Sequence, residues 1–203
     1  MNNGEKTLAI VIMAHPERQA MAKALSQELQ APICYDRINN LWDTCRRAWL
    51  SQVSVGADYT LVLQDDAIAC KGFRKKALAI INAQDKEYMT AFYAGGMART
   101  RVNQALRDGM PYFLSGMIFN EVALCIPTKY IEEMVKFCDD REAKNDHFIQ
   151  QWAHLKRLKV FYPVPSLIDH RTDTPSIYRR NYGRVGVNDP RKATAFIDTY
   201  EKP

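Results

Sequence analysis

Two carboxylates stand side by side at the end of an apolar run: Tyr59, Thr60, Leu61, Val62, Leu63 and Gln64 lead into Asp65 and Asp66. The run has the β-branched and aromatic content of a strand. Adjacent carboxylates at the end of a buried strand are costly unless something neutralises them. Mg²⁺ or Mn²⁺ does this well, because each prefers one or two carboxylates together with phosphate oxygens. The chemistry to expect is therefore metal-assisted handling of a diphosphate. Aspartate also suits a helix cap or a turn, but an apolar strand running straight into Asp-Asp favours the metal.

Such a pair must be positioned by a framework, and the periodicity outlines one. Thr7–Ala14 is continuously apolar and suits a strand buried on both faces. Glu17–Gln30 places Met21, Leu25 and Leu29 on one helical face, and Leu41–Val53 does the same with Leu41, Cys45, Trp49 and Val53. Between them Pro32–Tyr35 reads as a short strand. Helix is expected over Phe73–Ala83 and strand over Tyr88–Tyr93, ending at Gly95-Gly96. Arg99–Pro111 fits either class. Glu121–Ile126 reads as strand and Pro127 as the first turn of a helix. Asn145–Leu158 is a further helix, and Lys159–Tyr162 a last strand stopped by Pro163 and Pro165. This alternation predicts an α/β domain with a mostly parallel sheet. Ligands of such sheets bind beyond the carboxyl ends of the strands. That selects His15–Arg18, Tyr35–Asn40, Gln64–Ala67, Gly95-Gly96 and the segment before Arg171.

The 203 residues allow one domain or one domain with an extension. With 47% hydrophobic and 25% charged residues, the chain is an ordinary globular one and not disordered. Its longest apolar run is too short to span a bilayer, and the charged and proline residues after it break a signal peptide's core. No membrane span is expected, and the cytoplasm is the expected compartment. Five cysteines, odd in number and without CxxC spacing, indicate reduced thiols and neither a disulfide framework nor a zinc site. The net charge of +5 allows an anionic ligand without demanding one.

Several segments resemble, in order, the GT-A-fold nucleotide-sugar glycosyltransferases of compact bacterial or phage type. The strand leading into Gln64-Asp65-Asp66-Ala67-Ile68, followed by Gly72-Phe73, looks like their metal-binding signature. Pro16-Glu17-Arg18 after the first strand is similar to their donor-nucleotide loop. Asn39–Val55 with Gly56-Ala57-Asp58-Tyr59 resembles the approach to the metal strand. Tyr162–Arg171, with its Pro165-Ser166-Leu167, resembles a later signature segment. The likeness spans roughly residues 7–177, leaving 178–203 as a basic extension. The family pattern usually has Glu where this chain has Gln64, which keeps an acceptor and loses a charge.

The resemblance implies a metal-dependent, inverting transfer from a nucleotide-diphosphate sugar, a UDP-sugar first. Asp66 and His170 would hold Mn²⁺ or Mg²⁺, with Asp65, Arg171 and Ser176 at the diphosphate. Ala14, His15, Pro16, Arg18 and Asp36 would contact the donor; Asp36 is equally suited to forming a turn. Arg46 on the second helix either reaches the diphosphate or is solvated. Asp146 matches the general base and also suits an N-cap. Gly95 and Gly96 allow close backbone approach to a ligand, or simply a tight turn.

From Arg171 to Lys192 there are six basic residues against two acidic ones, with Tyr178 and Tyr182 interleaved. Such a stretch is either a solvated tail or a surface that tracks phosphates and stacks bases. Arg179, Arg180, Tyr182 and Arg184 are therefore acceptor candidates. The acceptor they suggest is DNA carrying hydroxymethylated bases, met in the host cytoplasm if the chain is phage-encoded. A protein side chain or a surface glycan competes as acceptor. An inactive nucleotide or nucleic-acid binding module is the alternative of another class. A metal nuclease or phosphatase using Asp65 and Asp66 is disfavoured, because no further acidic cluster follows the later strands.

Overall fold

The computed structural model describes residues 4–141, 147–173 and 191–200. In chain order the elements are β1 (Leu8–Ala14), α1 (Gln19–Leu29), β2 (Ile33–Tyr35), α2 (Leu41–Ser51), β3 (Tyr59–Gln64), β4 (Ala67–Ala69), α3 (Phe73–Ala83) and β5 (Met89–Ala91). They continue with α4 (Arg99–Arg107), β6 (Tyr112–Ser115), β7 (Ala123–Pro127), α5 (Ile131–Asp139), α6 (His147–Leu155), β8 (Val160–Pro163) and β9 (Ile168–His170). Seven strands form one sheet in the order β2-β1-β3-β7-β5-β8-β6, and β4 and β9 form a separate pair. In the large sheet only β7 and β6 run against the other strands. The expected α/β class with a mostly parallel sheet is the one observed.

Alternating side chains of β1 divide the interior. Val11 and Met13 face a core shared with Trp42, Cys45 and Trp49 of α2 and with α4, α5 and α6. Leu8, Ile10, Ile12 and Ala14 face the other core, with Ala22, Leu25 and Leu29 of α1 and Phe73, Ala77 and Ile81 of α3. Because both faces are covered, every residue of β1 is buried, which is why its sequence is apolar without interruption. Each fully buried Leu or Ile on these faces stabilises the fold by about 1.5–3 kcal/mol.

The strand order sets the place of the site. The chain leaves β1 for β2 on one side and returns past it to β3 on the other, so a switch point lies at the carboxyl end of β1. A crevice forms there in open α/β sheets. The short β4–β9 pair sits just beyond it and aligns Ala67 with His170.

Three expectations are revised. Pro127 lies just outside the helical turn it was expected to open: it ends β7 opposite Tyr59 and is the N-cap of the short turn Thr128–Tyr130 that leads into α5. Residues 99–111 resolve into helix α4 up to Arg107, and the unforeseen strand β6 begins at Tyr112. Val160–Pro163 is not the last strand, since β9 follows it. Later in the chain, Ala195 joins one core and Phe196 the other. Among the described residues no helix is long and apolar enough to cross a membrane.

Candidate functional site

Three segments meet at the switch point. The first follows β1: the His15 imidazole caps a short turn over Pro16–Arg18 by accepting from the Glu17 N–H. The second is Asp65-Asp66, between β3 and β4. The third is His170-Arg171 at the end of β9. Pairing of β4 with β9 carries the last of these onto the second, and the Arg171 N–H donates to the Asp66 carbonyl at 2.9 Å.

Both carboxylates are buried, Asp65 5% and Asp66 4% exposed. Asp65 is satisfied by protein donors: the His15 N–H reaches Oδ2 at 2.8 Å and Arg18 Nη1 reaches Oδ1 at 2.9 Å. Asp66 is satisfied on one side only. Its Oδ2 accepts from the same Arg18 Nη1 at 2.5 Å and lies 3.3 Å from His170 Nε2. Its Oδ1 is buried with no hydrogen-bond partner. Burial pushes the Asp65 carboxyl up, against the bonds from the His15 N–H and Arg18. One guanidinium is thus shared between the two carboxylates, with His170 Nε2 beside Asp66.

His170 is oriented by its neighbour. Its Nδ1 lies 2.6 Å from the Arg171 carbonyl oxygen. A carbonyl only accepts, so we assign the proton to Nδ1, and Nε2 turns to Asp66. This is how a ligating histidine is commonly held. Among the described residues no three His, Cys, Asp or Glu side chains gather into a metal cage. What the site offers is smaller: the open oxygen of Asp66 and the Nε2 of His170. That donor set fits an ion whose remaining ligands are phosphate oxygens and water.

The other sequence candidates are placed as follows. Ala14 ends β1, and its carbonyl accepts from the Asp36 N–H at 2.8 Å. Asp36 is buried, and its Oδ1 accepts from the N–H groups of Ile38 and Asn40, so it shapes the turn after β2. Arg46 does not join the acid pair. It reaches Asp139 at 2.8 Å, beside the Trp42 indole on the same carboxylate, and ties α2 to α5. Gly95 does not leave room for a ligand. A Cβ there would lie 2.1 Å from the Tyr93 hydroxyl oxygen, so the missing side chain makes space for the chain's own tyrosine. Gly96 opens the short turn into α4. The Arg171 side chain is half-buried, 3.5 Å from Asp173. Asp146, Ser176, Arg179, Arg180, Tyr182 and Arg184 lie outside the described residues.

Three residues outside the candidate set also build the site. Tyr93 is buried, its ring 6.1 Å from that of His170 and its hydroxyl donating to the Arg191 carbonyl. The Asp169 carboxylate accepts from both the His170 and the Ala193 N–H. Ser166 accepts from the Ala94 N–H, while its own N–H donates to Ala195. Asp169 was within reach of inference, as the acidic neighbour of a candidate histidine. Tyr93 and Ser166 act through chain segments distant in sequence.

No protein-family model matches the sequence, and no curated protein matches it. Among solved structures the chain is similar to the crystal structure of A197 from STIV, with a TM-score of 0.53 at 9% identity, over 80% of this chain and 85% of that one. A protein from Bacillus anthracis described as a glucose-1-phosphate thymidylyltransferase, in complex with a sucrose, aligns at a TM-score of 0.45 and 15% identity, over 79% and 69%. A glycosyltransferase involved in the glycosylation of the major capsid of PBCV-1 aligns at 0.42 and 10%, over 74% and 77%. At these identities only the first likeness speaks to structure, and it speaks to the fold alone. The fold itself is an α/β domain whose seven-stranded sheet is mostly parallel, with the acidic pair beyond β3.

Proposed function

We propose that this chain is a glycosyltransferase that moves a sugar from a UDP-sugar to an acceptor hydroxyl. The observation that carries the reading is Asp66: a buried carboxylate at the switch-point crevice, with one oxygen unpartnered and His170 Nε2 beside it. A nucleotide-diphosphate donor with a divalent ion supplies what that oxygen lacks.

In this reading Asp65 is an organiser. It holds the His15 N–H and Arg18, and so fixes the loop that meets the donor. Asp66 and His170 would hold Mn²⁺ or Mg²⁺, which as a Lewis acid would stabilise charge on the departing diphosphate. Arg18 brings a second positive charge to the same place. Asp146, directly before α6, is assigned the proton of the acceptor hydroxyl, which makes the transfer inverting.

For the acceptor we favour DNA with hydroxymethylated bases over a protein or a glycan. The stretch 171–192 carries a net +4. Its two ends meet beside the acid pair, where Arg191 Nη2 lies 3.4 Å from the Thr172 carbonyl oxygen. Such a base must leave the duplex to be reached.

The test is a panel of nucleotide sugars with Mn²⁺ or Mg²⁺, assayed for binding, hydrolysis and transfer to hydroxymethylcytosine DNA. UDP-sugars are expected to bind and turn over only with metal. Donor binding without turnover on any acceptor would reduce the chain to a binding module. No binding at all sinks the proposal.

A further inference from the structure

Arg18 stands at an unusual point. Through a single nitrogen, Nη1, it touches Asp65 at 2.9 Å and Asp66 at 2.5 Å, and its side chain is buried with theirs. A cation is therefore already seated on the acid pair. Burial alone would pull the guanidinium down, but the charge of Asp66 and the bond to Asp65 hold it above its ordinary value. A divalent ion on Asp66 would meet this fixed positive charge at close range, where little water screens it. Asp66 nevertheless keeps one buried oxygen, Oδ1, without a hydrogen-bond partner.

We propose that Arg18 is a resident counter-ion that keeps Asp66 closed to a divalent ion until a diphosphate draws the guanidinium away, so that metal and diphosphate bind together. This rests on the metal–diphosphate reading of the site. Arginine suits the exchange because its planar fork pairs with phosphate as well as with carboxylate. The loop need not move with it. Asp65 also holds the His15 N–H, and the Arg18 N–H donates to the His15 carbonyl at 2.9 Å, so the main chain stays anchored while the side chain changes partner. The device would stop the site from loading metal without a donor.

Mn²⁺ titrations of the full chain by calorimetry, with and without UDP, test this. Wild type should bind Mn²⁺ weakly alone and at least about tenfold more tightly with UDP, and UDP should tighten by the same factor with Mn²⁺. Arg18→Gln should bind Mn²⁺ alone about tenfold more tightly than wild type, with the gain on adding UDP reduced to match. Arg18→Lys retains one cationic nitrogen and should stay within about threefold of wild type. If Arg18→Gln leaves Mn²⁺ affinity unchanged or weaker, the counter-ion role is overturned, while Mn²⁺-dependent UDP binding by wild type still supports the proposed function. If wild type binds neither, the proposed function falls first. Should Arg18→Gln fail to fold alone, Mn²⁺ is itself the readout. Cooperative melting restored by Mn²⁺ supports the role, and failure to restore it overturns it.

Discussion

Strand β3 has carboxylates at both of its ends, and the two ends are built on opposite terms. At the amino end Asp58 is exposed, and its Oδ2 accepts from both the Thr7 N–H and the Thr7 hydroxyl at 2.8 Å. The same hydroxyl accepts from the Asp58 N–H at 3.0 Å, which closes a reciprocal lock between β1 and β3. The backbone bond from Thr7, followed by the hydroxyl bond, holds this carboxyl below its usual range. At the carboxyl end Asp65 and Asp66 are buried, one is pushed up by burial, and one oxygen has no partner. Open space does not distinguish the ends. A cavity of about 1000 Å³ lies at the amino end, among Lys6, Arg74, Lys75, Asn82, Asp85 and Glu87. There Lys6 already spends its main-chain N–H on Asn82 and its ammonium on the Ile81 carbonyl. What separates the two ends is hydrogen bonding: the Asp58 carboxylate is met by Thr7, whereas one buried oxygen of Asp66 is left without a partner.

Breaking the contrast at the carboxyl end should have the largest effect. Asp66→Asn should weaken Mn²⁺-dependent UDP binding about a hundredfold or more, in line with loss of a charged ligand. Its melting temperature should fall by no more than about 5 °C, because Arg18 keeps Asp65 as its partner. A fall of more than about 5 °C would mean that Asp66 is structural. At the amino end the balance should invert. Asp58→Ala should leave UDP binding untouched and cost about 1 kcal/mol, discounted for exposure, read as a melting temperature lower by about 2–4 °C. The smallest effect concerns pH. A carboxyl held low in the folded state stabilises above its unfolded pKa and loses that contribution as pH falls through the folded value. The melting gap between wild type and Asp58→Ala should therefore persist from pH 7 to pH 5 and narrow below about pH 4. A gap that widens on acidification would contradict the lock.

Much of this arrangement was legible in residue order, for identifiable reasons. Strand β1 declares itself as an uninterrupted apolar run, because both of its faces are buried, and helix α3 by the spacing of Phe73, Ala77 and Ile81 on one face. The acid pair was legible because an apolar strand ends on it. Strands β4 and β9 were not, since three residues carry no period and their pairing is decided by partners far along the chain. Arg46 misled for a related reason. Its partner Asp139 sits on another helix, and nothing local distinguishes a bridging arginine from one waiting for an anion. Gly95 was rightly marked as a place of close approach, but what approaches is Tyr93. Phe196 gives no local sign of its place, because it is held by a core assembled from distant strands.

The β4–β9 pair has a consequence for local opening. It joins Asp66 to His170, more than half the chain apart, through three aligned residue pairs. We predict that so short a ladder opens more readily than the large sheet, although Ala67, Ala69 and Ile168 are buried in the core. Such an opening would separate His170 from Asp66 while the seven-stranded sheet stays intact. The Arg171 amide, bonded to the Asp66 carbonyl, would report that event by hydrogen exchange. A ligand held between the two side chains would then act as a clasp, slowing exchange there before it changes anything in the core.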